Sequence, residues 1–390
     1  MKILWFPRLQ FDIDKLHITT WREMCRELED TFGCKIKIAI AGKNTDTRIF
    51  NRDYIPIFII RKKIMRIASY LIFGYLKFIA TYITYRPQIV IFDLYSIWFS
   101  IPFAIFTRKQ SKFIIDNRTP FYNATSNSAA EVKDKLMQIY TKLVYWYCKN
   151  FLHGMTVITE YYKREVCNNF HFLESKVDVW GSGVNVDVFS PYKYREFERP
   201  AFLKGKFVIM QHGEISQNRG LFETITALNI LHNKDICLLL IGDASAGSKT
   251  KEELLLLIKN LNVENNVYVL PPVPHSEIPK YISYCDCAIM AYPDIEYWNN
   301  NNPIKLLEYL AMGKVVICTN MWTFRDVIDN KKCGYYIPDN QPKTIANAIN
   351  ACYENRKLLD EWGKEGIEII KKRFTWNKQA ERLYKFTMHL

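Results

Sequence analysis

Lys305 and Glu308 stand three residues apart in the segment NNNNPIKLLEYLAMGKVVICTN (299–320). Residues at that spacing share one face of a helix, so the pair could present a cation and a carboxylate to one ligand. The segment itself predicts a turn, a helix and a strand. Asn302 suits an N-cap, and Pro303 suits the first helical position, where its missing N–H would be unpaired anyway. Ile304, Leu307, Leu310 and Ala311 then recur at helical spacing, Gly313 ends the helix, and VVICT reads as a buried strand. Lys305 therefore falls in the first turn, against the positive end of the helix dipole. That placement is unfavourable by roughly 0.3–1 kcal/mol unless an anion is also present, and a phosphate would remove the conflict. Glu308, deeper in the helix, has the chemistry to accept hydrogen bonds from vicinal hydroxyls such as those of a ribose. The plainer alternative is an intrahelical Lys305–Glu308 pair.

A second cation occupies a similar position in FVIMQHGEISQNRGLFETITAL (207–228). A buried strand ends at His212, Gly213 opens a loop in which a ligand can approach bare backbone, and Gly220 permits close packing at the start of the next helix. Arg219 precedes that helix. A lone arginine before a helix is commonplace, but Arg219 and Lys305 at two helix entries suggest one polyanion, a diphosphate, between them. Earlier in the chain, DNRTPFYN (116–123) follows a predicted strand. There Asp116 is an acid/base candidate, a group that orients Arg118, or simply a turn residue. Thr159 and Glu160 suit a helix start. His153, His171 and His275 show no partner pattern and receive no role.

These residues need elements to position them. Short apolar runs at 2–6, 35–41, 88–92, 112–116 and 155–159 alternate with helical patterns at 19–31, 61–85, 96–107 and 131–150. A second series of strands at 207–212, 236–242, 267–270, 287–292 and 315–319 alternates with helices at 221–232, 249–261, 276–284, 303–312 and 342–372. Such alternation means parallel sheets covered on both faces, with ligands outside the carboxyl ends of the strands. VWGSGVNVDVFSPYKYREFERP breaks the periodicity and reads as a linker. The fold class is α/β, two doubly wound domains in tandem, which 390 residues accommodate.

The composition, 49% hydrophobic and 24% charged, excludes a disordered chain. The net charge of +13 favours anionic partners such as phosphorylated ligands or anionic lipid surfaces. Nucleic acid is the weakest of these, since RNP, zinc-finger and helix-turn-helix signatures are absent. The ten cysteines are scattered without a CxxC pair, and they read as reduced thiols of a cytosolic protein. The first residues, MKILWFPRLQFDIDK, carry no long apolar run of the secretory kind. The stretch 61–87 is apolar and aromatic with basic residues at its front. Arg66 and Lys77 argue against a membrane-spanning helix, which leaves a sheet-covering helix or an amphipathic helix lying on an anionic membrane.

Taken in order, WGSGVNVDVFSP, HGEISQNRGLFETITAL, IGD and NPIKLLEYLAMGKVVICTN resemble glycosyltransferase family 4, and the resemblance spans essentially the whole chain. It implies a GT-B fold: two Rossmann-like domains facing a cleft, 1–190 on the acceptor side and 191–373 on the nucleotide-sugar donor side. The closing segment FTWNKQAERLYKF would form a helix, within 374–390, that crosses back to the first domain. In the family's pattern Glu308 matches the second glutamate of a Glu-x7-Glu motif, which binds the nucleotide ribose. Arg219 matches the basic residue on the donor diphosphate, and Gly213 the glycine under the phosphates. Val273 lies where the base is met. Gly220, Gly242, Asp243, Pro303 and Ile304 fall in the same donor-side motifs.

Two departures stand out. The first glutamate of that motif is Asn300, with Asp294 and Glu296 as nearby replacements. The second basic residue is Glu214, for which Lys305 is the electrostatic substitute. The first domain's loop after strand one, PRLQFDIDKLHITT, also has no glycine where the family has a glycine-rich turn. The resemblance implies transfer of a sugar, with retention and without metal or other cofactor, from a UDP-sugar, or next a GDP-sugar, to a glycan or lipid-linked acceptor. The setting it implies is cytoplasmic, with peripheral attachment to the inner face of the membrane if 61–87 binds lipid. Alternatives are a GT-B sugar-nucleotide epimerase and a non-catalytic basic protein of the membrane surface.

Overall fold

Two parallel sheets carry the chain, and each reverses its strand order at one point. The structure is a computed structural model and describes residues 1–7, 15–41, 54–60, 62–118 and 128–390. Most of the loop after the first strand, Arg61, and residues 119–123 of the acceptor-side segment lie outside the described residues.

The first sheet runs in the order β3-β2-β1-β4-β5-β6-β7. Its strands are β1 (Lys2–Phe6), β2 (Lys35–Ala41), β3 (Tyr54–Ile57), β4 (Ile89–Phe92), β5 (Lys112–Asn117), β6 (Gly154–Val157) and β7 (Val177–Val179). Helices α1 (Lys15–Asp30), α2 (Lys63–Tyr85), α3 (Phe103–Phe106), α4 (Ser128–Phe151) and α5 (Glu160–Phe170) connect them. The second sheet runs β10-β9-β8-β11-β12-β13. It comprises β8 (Phe207–His212), β9 (Ile236–Ile241), β10 (Val267–Leu270), β11 (Cys287–Met290), β12 (Val315–Thr319) and β13 (Gly334–Ile337). Its helices are α6 (Leu221–Leu231), α7 (Thr250–Asn260), α8 (Ile278–Ser283), α9 (Glu296–Asn299), α10 (Ile304–Ala311), α11 (Trp322–Ile328), α12 (Pro342–Glu354) and α13 (Leu359–Arg373). The chain closes with α14 (Trp376–His389).

The central strands are buried along their whole length, which is why they read as unbroken apolar runs rather than alternating ones. The three strands that periodicity missed, β3, β7 and β13, are all sheet edges of three or four residues. Two predicted helices divide. The 96–107 stretch is a 3₁₀ turn at Ile97–Ser100 followed by α3, with Pro102, which has no N–H to donate, between them. The 342–372 stretch becomes α12 and α13 because they have different partners: α12 packs on α6, and α13 on α10.

The chain divides into Met1–Ser182 with Trp376–Leu390, and Gly183–Thr375. The first boundary falls eight residues before the expected 190, and the reason is local. Val184 and Phe189 are buried in the second unit's core, and Val184 N–H donates to the Phe374 carbonyl at 2.8 Å. In the first unit α14 packs against α1, with the Phe32 and Tyr384 rings 4.7 Å apart and the Gln379 side-chain Oε1 accepting from Gly181 N–H at 2.8 Å. Gly154 makes room for this helix, since a Cβ there would meet Phe386 at 2.6 Å.

Candidate functional site

The second sheet changes direction between β8 and β11, the place where an open parallel sheet leaves a crevice at its carboxyl edge. Three glycines shape that edge. Gly213 follows β8 with φ +104°, and its N–H donates to the Ile241 carbonyl at 2.8 Å. Gly242 follows β9, and a Cβ on it would lie 1.8 Å from the Gly213 carbonyl oxygen. Gly220, with φ +66°, brings the start of α6 against the end of β11, where a Cβ would lie 1.9 Å from the Ala291 oxygen. The backbone approaches itself too closely for any side chain at the last two positions.

Lys305 leaves the first turn of α10 and runs over Gly213. Pro303, with ψ 71°, is not helical, so α10 begins at Ile304 and Pro303 is its N-cap, one residue later than the sequence predicts. Burial pulls the Lys305 ammonium down to about 7, and the nearby Arg219 guanidinium adds to that shift. Arg219 closes a 3₁₀ turn at Gln217–Arg219 and is held on three sides. It donates to Ser216 Oγ at 3.2 Å, to the Tyr292 hydroxyl at 3.3 Å and to Glu214 Oε2 at 3.2 Å. Its guanidinium also lies 5.2 Å from the Trp298 ring centre. Glu214, which stands where the resemblance has a second cation, accepts from Ser245 and balances Arg219. Burial is the larger reason that Lys305 is depressed and the Arg219 charge the second, and an anion beside the two cations would offset both.

Glu308 is not paired with Lys305. Its buried carboxylate joins two histidines: Oε2 to His212 Nε2 at 2.9 Å, and Oε1 to His275 Nε2 at 2.5 Å. The Tyr309 hydroxyl accepts from the His212 backbone N–H at 2.9 Å, so its single proton goes to His212 Nδ1 at 2.8 Å. Burial keeps His212 neutral, and the free proton is then on Nε2, donated to Glu308. Although burial opposes it, these two histidine bonds hold the Glu308 carboxyl down at about 2. His275, which shows no partner pattern in the sequence, meets the Glu308 carboxylate in the structure. Nothing local to residue 275 marks it, because its partner is 33 residues away. His212 was read only as a strand end.

The remaining donor-side candidates scatter more widely. Asp243 is exposed, bonded to Ala244 N–H at 2.9 Å and paired with Lys251 at 3.0 Å. Val273 and Ile304 are half-buried, and Val273 packs on the second unit's core. Asn300 is fully buried at the end of α9, where its amide donates to the Glu296 carbonyl at 3.2 Å and its Oδ1 has no partner among the described residues. Asp294 and Glu296 are exposed, and Asp294 accepts from the Asn299 amide at 2.8 Å.

In the first unit Asp116 is buried at the end of β5 and accepts from Thr156 Oγ1 at 2.9 Å, while its Oδ2 has no hydrogen-bond partner among the described residues. Burial pushes this carboxyl up to about 6, against the pull of Arg118. Arg118 stacks on Trp180, 3.7 Å from the ring centre, and donates to the Trp180 carbonyl at 3.3 Å. Asp116 and Arg118 act on each other through charge, with no hydrogen bond between them among the described residues. Thr159, rather than Glu160, caps α5, accepting from Tyr162 N–H at 3.1 Å. Among the described residues no group of three or more histidines, cysteines, aspartates or glutamates could hold a metal ion.

Two parallel sheets with alternating helices match the GT-B fold, and the chain carries a glycosyltransferase domain: residues 193–369 match the family of glycosyl transferases group 1. Among its relatives is the putative teichuronic acid biosynthesis glycosyltransferase TuaH of Bacillus subtilis (strain 168), 28% identical over 60% of this chain and 56% of TuaH. Another is the capsular polysaccharide biosynthesis glycosyltransferase CapM of Staphylococcus aureus, 22% identical over 68% of this chain and 74% of CapM. The chain thus spans little more than half of the first relative and about three quarters of the second. Its fold is shared with HepE of Anabaena, solved in complex with UDP, at a TM-score of 0.76 with 14% identity and complete coverage of both chains. It is shared equally with a glycosyltransferase of Rickettsia africae, at a TM-score of 0.74, 18% identity and coverage of 100% and 98%.

Proposed function

We propose that the chain moves a sugar from a nucleotide-diphosphate sugar, a UDP-sugar before a GDP-sugar, to a hydroxyl of a glycan or lipid-linked acceptor in cell-surface polysaccharide assembly. The observation that carries this reading is the juxtaposition of Lys305 with Gly213, beside Arg219, at the carboxyl edge of β8. Two cations over bare backbone suit a diphosphate. As the glycosidic bond breaks, Lys305 and Arg219 would take up the negative charge that develops on the leaving phosphate. Glu308 would receive ribose hydroxyls, with Val273 and Asp243 toward the nucleotide. TuaH and CapM, named for teichuronic acid and capsular polysaccharide, support the acceptor class, and the UDP complex of HepE supports the donor.

In this reading retention arises from same-face attack guided by the leaving phosphate, which needs neither a protein nucleophile nor a metal. Asn300 in place of a carboxylate is compatible with that. Asp116 and Arg118 belong to the acceptor side, where the burial of Asp116 favours a positioning role. The ten free thiols support a cytoplasmic setting. The group 1 match favours transfer over the epimerase and non-catalytic readings.

A thermal-shift series with UDP, GDP and ADP tests the donor, since a ligand that binds the folded chain stabilises it by RT ln(1 + [L]/Kd). UDP should raise the melting temperature most. No response to any nucleotide would overturn the reading. Product anomer by NMR and activity in EDTA test retention and metal independence.

A further inference from the structure

The first unit presents a broad apolar face whose exposed apolar stretches carry no acidic residue, and we propose that it seats on an anionic lipid bilayer. Three elements stand side by side there. The Tyr75 hydroxyl on α2 donates to the Ile101 carbonyl at 3.1 Å, and Tyr82 reaches Thr107 Oγ1 at 2.7 Å, tying α2 to the 97–107 segment. On the other side of that segment, Trp98 Nε1 donates to the Tyr140 hydroxyl at 2.9 Å and Ser100 bonds Tyr147 at 2.8 Å, tying it to α4.

Each element has a filled inner face and an apolar outer one. On α2, Tyr70, Phe78 and Tyr82 enter the core, whereas Met65, Ile72, Leu76 and Ile83 are exposed. Phe106, at the end of α3, is 82% exposed with Ile105 beside it. On α4 the exposed stripe is Leu136, Ile139, Leu143 and Trp146, at helical spacing. By length and composition Met65–Tyr85 is apolar enough to cross a membrane, but its inner face belongs to the core, so it lies along the sheet. An exposed apolar patch spread over three elements marks an interaction site.

Charge selects the partner. Between residues 62 and 86, 97 and 110, and 135 and 151 there is no aspartate or glutamate, while Lys77, Arg108, Lys109, Lys142 and Lys149 are exposed. Glu131 and Asp134 occur in the first two turns of α4, before these stretches. An apolar face whose charged residues over these stretches are all cations suits acyl chains beneath anionic headgroups. A second copy of the chain would bring like charges together across a two-fold interface. The bilayer face uses no residue of the donor site.

Co-sedimentation of the full chain with vesicles tests this. It should pellet with phosphatidylcholine–phosphatidylglycerol vesicles far more than with phosphatidylcholine alone, and added salt should release it. Lys77→Glu and the double change Arg108→Glu with Lys109→Glu should each lower the partition coefficient, by about fivefold or more per cation removed. Leu76→Ser with Phe106→Ser should lower it on both vesicle types, with an unchanged melting temperature because both side chains are exposed. Equal pelleting of wild type and variants would overturn the inference. So would the absence of binding to anionic vesicles, or a dimer in solution that Phe106→Ser converts to monomer. Salt release of the wild-type chain stands as a test even if a variant fails to fold.

Discussion

The end of the Lys305 side chain fills the space where residue 213 would carry a Cβ: an atom there would lie 2.4 Å from both Cε and Nζ of the lysine. Gly213 therefore does more than turn the chain after β8. Its bare α-carbon makes the seat on which a half-buried cation rests, close enough to Arg219 for the two charges to oppose each other. A diphosphate placed there would meet two cations and exposed backbone together.

Gly213→Ala should fold, because the atoms it meets are the far end of a flexible side chain. The positive φ would cost about 1–3 kcal/mol, read as a lower melting temperature. Displacement of the lysine should lower UDP affinity further than that strain alone explains. Calorimetry that finds full affinity in this variant would remove the seat from the site.

Lys305→Ala and Arg219→Ala should each weaken UDP binding by roughly 1.5–3 kcal/mol, the range for a hydrogen bond to a charged group. Lys305 is depressed in the folded chain, so its charged form is disfavoured there. Removing it should leave stability at neutral pH unchanged or slightly raised, with a melting curve as the check.

The same group sets a pH dependence. Lys305 titrates at about 7, so lowering the pH from about 8 to about 6 protonates it and should tighten UDP binding. Lys305→Arg stays charged across that range and should show a flatter profile. Titration of UDP itself is common to both proteins, so the difference between the two profiles is the quantity to compare. Parallel profiles would sink the assignment.

Glu308 is held down at about 2, below the ordinary carboxylate value near 4.3. A depressed carboxyl contributes stability that is present above the ordinary value and lost as the pH falls toward 2. Glu308→Gln should therefore melt earlier than wild type at neutral pH, by about 1–3 kcal/mol in stability, and the gap should close in acid. His212→Ala should be destabilising too, as its ring is buried. His275 is half-exposed but supports the buried Glu308 carboxylate, so His275→Ala should lower the melting temperature, less than His212→Ala does, and tighten UDP by freeing Glu308 Oε1. If that variant binds no more tightly while Glu308→Gln binds normally, ribose is not held here.

Asp116 shows the opposite shift, pushed up to about 6. A raised carboxyl favours the folded state when protonated, so its burden grows as the pH rises from about 4 through 6. Asp116→Asn keeps an acceptor for Thr156 and removes the charge. It should melt later than wild type at pH 8, by no more than about 3 kcal/mol in stability, and match it near pH 4. A collapse of turnover with an unaltered pH–stability profile would instead restore the acid/base role.

The central strands and most of the helices were legible in the sequence, since a strand buried on both faces must be apolar throughout and a helix entry announces itself in Asn, Pro and Gly. The paired cations were legible for a related reason. Lys305 and Arg219 each stand in a local position that physical chemistry disfavours, so each could be noticed alone. The edge strands could not, because half their hydrogen-bonding groups face away from the sheet and short polar alternation suffices. Glu308 stands out in the sequence by its place in the helix, but its partners do not. A carboxylate's sequence neighbours cannot reveal that His212 ends one strand and His275 follows another, 96 and 33 residues away. The outward face of α2 is a similar case: its apolar composition is written in the chain, but only packing decides that Tyr70, Phe78 and Tyr82 turn inward while Leu76 and Ile83 stay exposed. Sequence determines what each residue offers within a turn or two of itself. Tertiary structure decides which offers meet, because contacts across a sheet are set by strand order, and strand order has no local signature.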